Sequence, residues 1–212
     1  MRLISQNKTN NNMDNEYIQM FSVPMQKTVL ELNIDSLIEF CYEMKRKDEK
    51  GVELSNLGGW QSDNVGDETH TEFVKLKTEI EDAANIYHRE IQLKKTYNQK
   101  IDNIWVNINQ KGHCNALHNH VGAVFSGVFY LTKGETSPID FENPLKDINI
   151  HYWRKAIIGE WNSVNSVSFS LHPKPNTLLI FPSWLQHKVS MNKENTDRIS
   201  FSFNTIPNEV FS

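Results

Sequence analysis

From Ile101 onward the apolar residues of this chain recur at every second position. Ile104, Val106 and Ile108 alternate with Trp105, Asn107 and Asn109; Ile199, Phe201 and Phe203 alternate with Arg198, Ser200, Ser202 and Asn204. A period of two belongs to extended chain, in which successive side chains point to opposite faces. The pattern predicts strands over 101–109, 123–132, 138–142, 148–153, 166–171, 177–182 and 198–205, separated by turn residues such as Lys174-Pro175-Asn176.

Before Ile101 the period is helical. Ser36-Leu-Ile-Glu39 reads as a capping box, and Leu37, Ile38, Cys41 and Met44 follow at helical spacing. The run Lys45-Arg-Lys-Asp-Glu-Lys-Gly51 ends that helix in solvent with charges of both signs. Thr69-His-Thr-Glu72 reads as a second capping box, followed by the stripe Phe73, Leu76, Ile80, Ala83, Ala84 and Tyr87. The stripe calls for packing against a sheet. Short strands are expected at Met20–Pro24 and Lys27–Leu32, and a polar lead over 1–16. Helices followed by a long strand series predict an α+β, mainly β protein, with the helical part (about 35–98) outside a sandwich or barrel built from about 101–205. No linker or internal repeat divides 17–212, so one domain is expected.

Composition narrows the function classes. A net charge of −4 gives no electrostatic footprint for nucleic acid. No apolar run approaches the ~20 residues of a membrane helix, and the N-terminus lacks a signal peptide's apolar centre. Cys41 and Cys114 fit neither a disulfide framework nor a CxxC site, which fits a reducing, cytoplasmic setting.

The chemistry gathers in two stretches. In Asn115-Ala-Leu-His118-Asn-His120, the two histidines share parity with Ser126 and Tyr130 of the following apolar run. If the extended conformation is unbroken, both imidazoles face one side and can chelate one metal ion. A third ligand must come from elsewhere, and Phe181-Pro-Ser-Trp184-Leu-Gln-His187 offers one. Eleven residues later, the face Arg198, Ser200, Ser202, Asn204 presents a guanidinium and hydroxyls. A guanidinium grips a small carboxylate through two parallel charge-assisted hydrogen bonds.

These motifs, with Ser126-Gly-Val-Phe-Tyr-Leu131, Arg198-Ile-Ser-Phe-Ser-Phe-Asn204 and the Gly59-Trp60-Gln61-Ser62 loop, resemble the 2-oxoglutarate/Fe(II) oxygenases of bacteria and their viruses over residues 55–205. The resemblance implies a double-stranded β-helix, or jelly roll, of eight core strands with helices outside. It implies His118 and His187 as iron ligands, Arg198 as the anchor for the far carboxylate of 2-oxoglutarate, and Ser200 beside it. Tyr130 and Ser126, by parity, are further candidates to touch the co-substrate. The superfamily pattern has a carboxylate where this chain has His120. Either His120 is the third ligand, the preferred reading, or Asp140 or Glu142 supplies the missing carboxylate. The implied reaction consumes 2-oxoglutarate and O2 and hydroxylates a substrate the sequence does not name, in the cytoplasm of a bacterium or a virus-infected cell. A jelly roll that keeps a metal only for stability is the alternative, as is a three-histidine dioxygenase that does not use 2-oxoglutarate. A homodimer is left open.

The remaining residues have plainer readings. His113 and Cys114 belong to a loop, and His70, His88, His151 and His172 to the surface. Trp60 is a structural plug, and Trp184 is either a core anchor or part of the substrate mouth.

Overall fold

The computed structural model of the protein describes residues 20–172 and 174–210, so the expected lead over 1–16 lies outside the described residues. The helical half forms first in sequence. It contains β1 (Gln26–Val29), α1 (Ile34–Lys47), the two-residue strands β2 (Asn56–Leu57) and β3 (Trp60–Gln61), and α2 (Thr71–Glu90). The strand half contains β4 (Tyr97–Asn109), β5 (Cys114–His118), β6 (Phe125–Tyr130), β7 (Ile139–Glu142), β8 (Ser168–Leu171), β9 (Thr177–Pro182), β10 (His187–Val189) and β11 (Arg198–Glu209), with α3 (Lys146–Tyr152) between β7 and β8. They pair antiparallel into a sheet ordered β1-β9-β6-β11-β4-β3 and a facing sheet ordered β2-β5-β10-β7-β8. Four central strands of the first and β5, β10, β7 and β8 of the second make the eight of a double-stranded β-helix.

The alternation in β4 and β11 decides the layers. Ile104, Val106, Ile108, Ile199, Phe201 and Phe203 point outward from the larger sheet into one apolar cluster with Leu37, Phe40, Phe73, Leu76 and Ile80 of α1 and α2. Each such side chain contributes about 1.5–3 kcal/mol when fully buried. Phe40 and Phe73 stack at 5.0 Å, and Phe73 meets Phe201 at 5.3 Å. The opposite, polar parity faces inward, toward the smaller sheet. A second cluster of Val128, Tyr130, Ile139, Phe141, Leu179, Phe181 and Leu185 fills part of that interior.

Gly127 shows how tightly β6 is held. A Cβ there would overlap the Phe203 ring and the Leu179 carbonyl. Gly127→Ala is therefore expected to lower stability by about 1–3 kcal/mol, the usual cost of overpacking, as read by denaturant unfolding; a change within error would show that β6 can move away.

Several local expectations are corrected. Helix α1 begins at Asn33, whose Oδ1 accepts from the Ser36 amide, rather than at Ser36. His70, not Thr69, caps α2, accepting from the Phe73 amide, and Glu72 instead accepts from the Asn33 amide at 2.7 Å. The glutamate of the second box thus serves the first helix, a contact between residues 39 apart that no local pattern reveals. Residues 148–153 are not a strand: α3 covers most of them, with Ile148, Ile150 and Tyr152 exposed. Their alternation was not produced by burial. Met20–Pro24 forms no strand, and Lys27–Leu32 is strand only in its first half. His88 is buried, its Nε2 bonded to the Lys94 carbonyl at 2.9 Å, so it pins the end of α2 to the start of β4. Trp60 is buried and donates to the Asp48 carbonyl at 2.8 Å, the plug expected of it.

Candidate active site

The extended run expected from His118 to Tyr130 is broken. Strand β5 ends at His118, the chain turns at Gly122 with φ +94°, and β6 begins at Phe125 in the other sheet. Shared parity across the break therefore carries no geometric meaning, yet the histidines still converge. His118 lies on β5 directly across from His187 on β10. His120 is in the connecting loop, which the Pro-kinked turn after β9 holds from below. The His120 amide donates to the Ser183 carbonyl at 3.0 Å, and the Ser183 hydroxyl donates to the Ala123 carbonyl.

The three rings stand 4.4–5.2 Å apart between centroids. One ligand-capable atom of each lies within 4.8 Å of the others, and among the described residues no other cluster of His, Cys, Asp or Glu does this. Two of the rings are oriented by backbone carbonyls: His118 Nδ1 by Ala116 at 2.7 Å and His187 Nδ1 by Leu185 at 2.8 Å. A carbonyl only accepts, so Nδ1 carries the proton and Nε2 keeps its lone pair. Burial pushes all three imidazoles below their usual range, His120 to about 4 and His187 to about 3, with His118's charge adding to both; His118 is also lowered. They are therefore neutral at physiological pH, the form a metal requires. The donor set fits a divalent transition metal that accepts imidazole.

The cavity in front of them holds about 40 Å³ and is lined by Trp105, Asn107, Asn115, Arg198, Ser200 and Ser202 besides the histidines. Arg198 is 2 % exposed. Its Nε donates to the Ser137 carbonyl at 3.3 Å, its Nη1 reaches the Ser200 hydroxyl at 3.5 Å, and its guanidinium carbon lies 5.1 Å from the centre of the Tyr130 ring. Its Nη2 and the Tyr130 hydroxyl are buried with no partner among the described residues. Burial pushes Tyr130 up to about 12 despite the opposing Arg198 charge, so the phenol stays a donor. An unpaired buried donor costs about 1–3 kcal/mol. One such donor on the guanidinium and one beside it call for a negatively charged acceptor, and a carboxylate fits both.

Other candidates fall elsewhere. Ser126 donates to Asn204 Oδ1 at 2.7 Å and does not line the cavity. Asp140 and Glu142 face out of the interior: Asp140 accepts from the hydroxyls of Ser170 and Ser190, and Glu142 pairs with Lys146. Inward from β7 go Ile139, which lines the cavity, and Phe141, 5.9 Å from the His187 ring. The expectation that these carboxylates share the polar interior is overturned, because parity says that they oppose Ile139 but not which face is inside. Cys114 is in β5 rather than a loop, while His113 closes a turn by accepting from the Gln110 amide. Trp184 is about half exposed, which removes the core-anchor reading. Sequence reasoning missed Trp105, whose ring sits 5.7 Å from His120, and the buried pair Asn109–Asn115, joined at 2.7 Å. The signal was there: Trp105, Asn107 and Asn109 form the polar face of β4, whose use was left unassigned.

A family model described as "Putative 2OG-Fe(II) oxygenase" matches residues 103–204, the span that holds the three histidines and Arg198. Over that span, just under half of its length, the chain matches the 2-oxoglutarate/Fe(II)-dependent oxygenases. It is an enzyme of the class that uses Fe(II) and 2-oxoglutarate together with O2. Solved oxygenase structures share the fold at low identity. A Pseudomonas putida prolyl-4-hydroxylase superposes with a TM-score of 0.56 at 12 % identity, covering 87 % of this chain and 92 % of that one. The viral collagen prolyl hydroxylase of Paramecium Bursaria Chlorella virus-1, a 2-oxoglutarate complex, gives 0.54 at 12 %, covering 85 % and 95 %. HygX from Streptomyces hygroscopicus, with nickel and 2-oxoglutarate bound, gives 0.58 at 11 %, covering 86 % and 82 %. No curated protein matches the sequence. No described helix of this oxygenase is long and apolar enough to cross a membrane.

Proposed function

We propose that His118, His120 and His187 hold one Fe(II), and that Arg198, with Tyr130 and Ser200, holds the far carboxylate of 2-oxoglutarate. The observation that carries this reading is the pairing, in one cavity, of three neutral imidazoles with a buried guanidinium whose Nη2 has no partner among the described residues. Bound iron and co-substrate supply the oxidising chemistry, coupling decarboxylation of 2-oxoglutarate to oxidation of an unidentified substrate. The chain's own residues orient and exclude. The Ala116 and Leu185 carbonyls aim two imidazoles, and the Arg198 fork fixes the co-substrate's distance from them. Phe141 and Phe181 pack around His187 and keep water from that side.

With His120 in place of a carboxylate, the metal is one unit more positive, and the doubly negative co-substrate restores near neutrality. Anaerobic iron loading followed by succinate measurement tests the assignment. His120→Ala is expected to lose iron, His120→Asp to keep iron with equal or higher turnover, and Asp140→Ala and Glu142→Ala to keep both. Iron loss in either carboxylate variant with His120→Ala still loaded would overturn it. Iron without any succinate would move the protein to a non-catalytic role. We infer one catalytic domain over residues 17–212, and a cytoplasmic setting supported by the free thiols of Cys41 and Cys114.

A further inference from the structure

Arg198 opens β11, where a strand end would ordinarily fray. Here the backbone on both sides of it is tied down by one hydroxyl. Thr132, just beyond β6 and 5 % exposed, accepts from the Ile199 amide at 2.7 Å and donates to the Asp197 carbonyl at 3.1 Å. The Leu131 amide adds a bond to the Ile199 carbonyl at 3.0 Å. On the outer side the Asp197 carboxylate accepts from the Tyr42 hydroxyl of α1 at 2.8 Å. Burial, with Asp197's bond and charge, pushes Tyr42 up to about 12, so it remains the donor.

The guanidinium itself has few other restraints: one long bond to Ser137 O, one marginal contact with Ser200, and the face of Tyr130. Its placement in the cavity is thus set largely by where its Cα is held. Bidentate carboxylate recognition tolerates about 0.5 Å of error, so a loosened strand end is felt at the ligand.

We propose that Thr132 and Tyr42 are positioning residues for the co-substrate: Thr132 clamps the backbone from Asp197 to Ile199, Tyr42 ties Asp197 to α1, and together they present the Arg198 guanidinium at the depth the carboxylate needs. The inference rests on Arg198 being the anchor. It makes α1 part of the active-site machinery, beyond its packing on the sheet.

Full-length protein loaded with Mn(II), without oxygen chemistry, is titrated with 2-oxoglutarate by calorimetry, and the Mn(II) affinity is measured separately. Thr132→Val, which keeps the shape but removes both bonds, is expected to weaken 2-oxoglutarate about tenfold, equivalent to about 1.4 kcal/mol. Thr132→Ser should restore it to within about twofold, and Mn(II) affinity should stay the same in both. Tyr42→Phe, half-exposed and safe for folding, should weaken 2-oxoglutarate about threefold, again without touching Mn(II). Wild-type affinity in both Thr132→Val and Tyr42→Phe, with Arg198→Ala impaired, would overturn the clamp. So would parallel losses of Mn(II) and 2-oxoglutarate, or a Thr132→Ser as impaired as Thr132→Val, since either marks a merely structural residue. Wild-type affinity in Arg198→Ala would overturn the anchor reading itself.

Discussion

His187→Ala is expected to lower Fe(II) affinity by more than about a hundredfold and to abolish succinate formation. Losing even an outer partner of a metal-binding histidine costs about 10–100-fold, and here a candidate ligand is removed outright. His187 is the most enclosed of the three, 5 % exposed, held by Leu185 O and placed opposite His118 by strand pairing. Among the described residues no other His, Cys, Asp or Glu joins the cluster, and the β7 carboxylates face the other way. Iron should raise the melting temperature of the wild type and leave that of the variant unchanged, since only a ligand that binds the native state stabilises it. The strand pairing of β10 with β5 and β7 is made by backbone, so the variant should fold. A variant that binds iron normally in a folded state would refute the three-histidine centre.

Arg198→Ala is expected to weaken 2-oxoglutarate by at least about a hundredfold, because two charge-assisted hydrogen bonds at about 1.5–3 kcal/mol each are lost. Arg198→Lys keeps the charge but not the planar fork, and the ammonium cannot lie as flat over the Tyr130 ring, so its affinity should fall between the two. Calorimetry on anaerobic iron-loaded protein reads the difference directly. Iron affinity itself should not change, because Arg198 is not one of the metal-binding cluster. Equal 2-oxoglutarate affinity in all three proteins would remove Arg198 from the role and leave its unpaired Nη2 needing another partner.

Much of the architecture was legible because burial had left a periodic imprint. In β4 and β11 the larger sheet is covered by helices on one face and by the polar cavity on the other, so Ile199/Phe201/Phe203 against Arg198/Ser200/Ser202 reads cleanly as two faces. The apolar stripe of α2 from Phe73 to Tyr87 read correctly for the same reason. Legibility failed where that imprint was absent or ambiguous. Residues 148–153 alternate without being buried, and α3 forms there. Strand β10 is three residues long and β5 is half polar, too short for a period to show. At β7 the alternation was right, but it does not say which side faces inward, and the carboxylates turn out to face away from the interior.

The sequence by itself determined the chemical inventory: three histidines, a guanidinium placed among alternate hydroxyls, and strands enough to hold them. These are local properties, since side-chain type and period are set residue by residue. Only the tertiary structure decided which groups meet. His118 and His187 are neighbours because β5 and β10 pair, 69 residues of chain apart, and His120 joins them because Ser183 fixes its loop, not because it continues a strand. Ser126 shares a parity with Tyr130 on β6, but the strand register sets it opposite Asn204 of β11, to which it donates, and it does not line the cavity. Strand register and sheet exchange are long-range pairings whose stability comes from the whole packed interior, and no short window of sequence contains them.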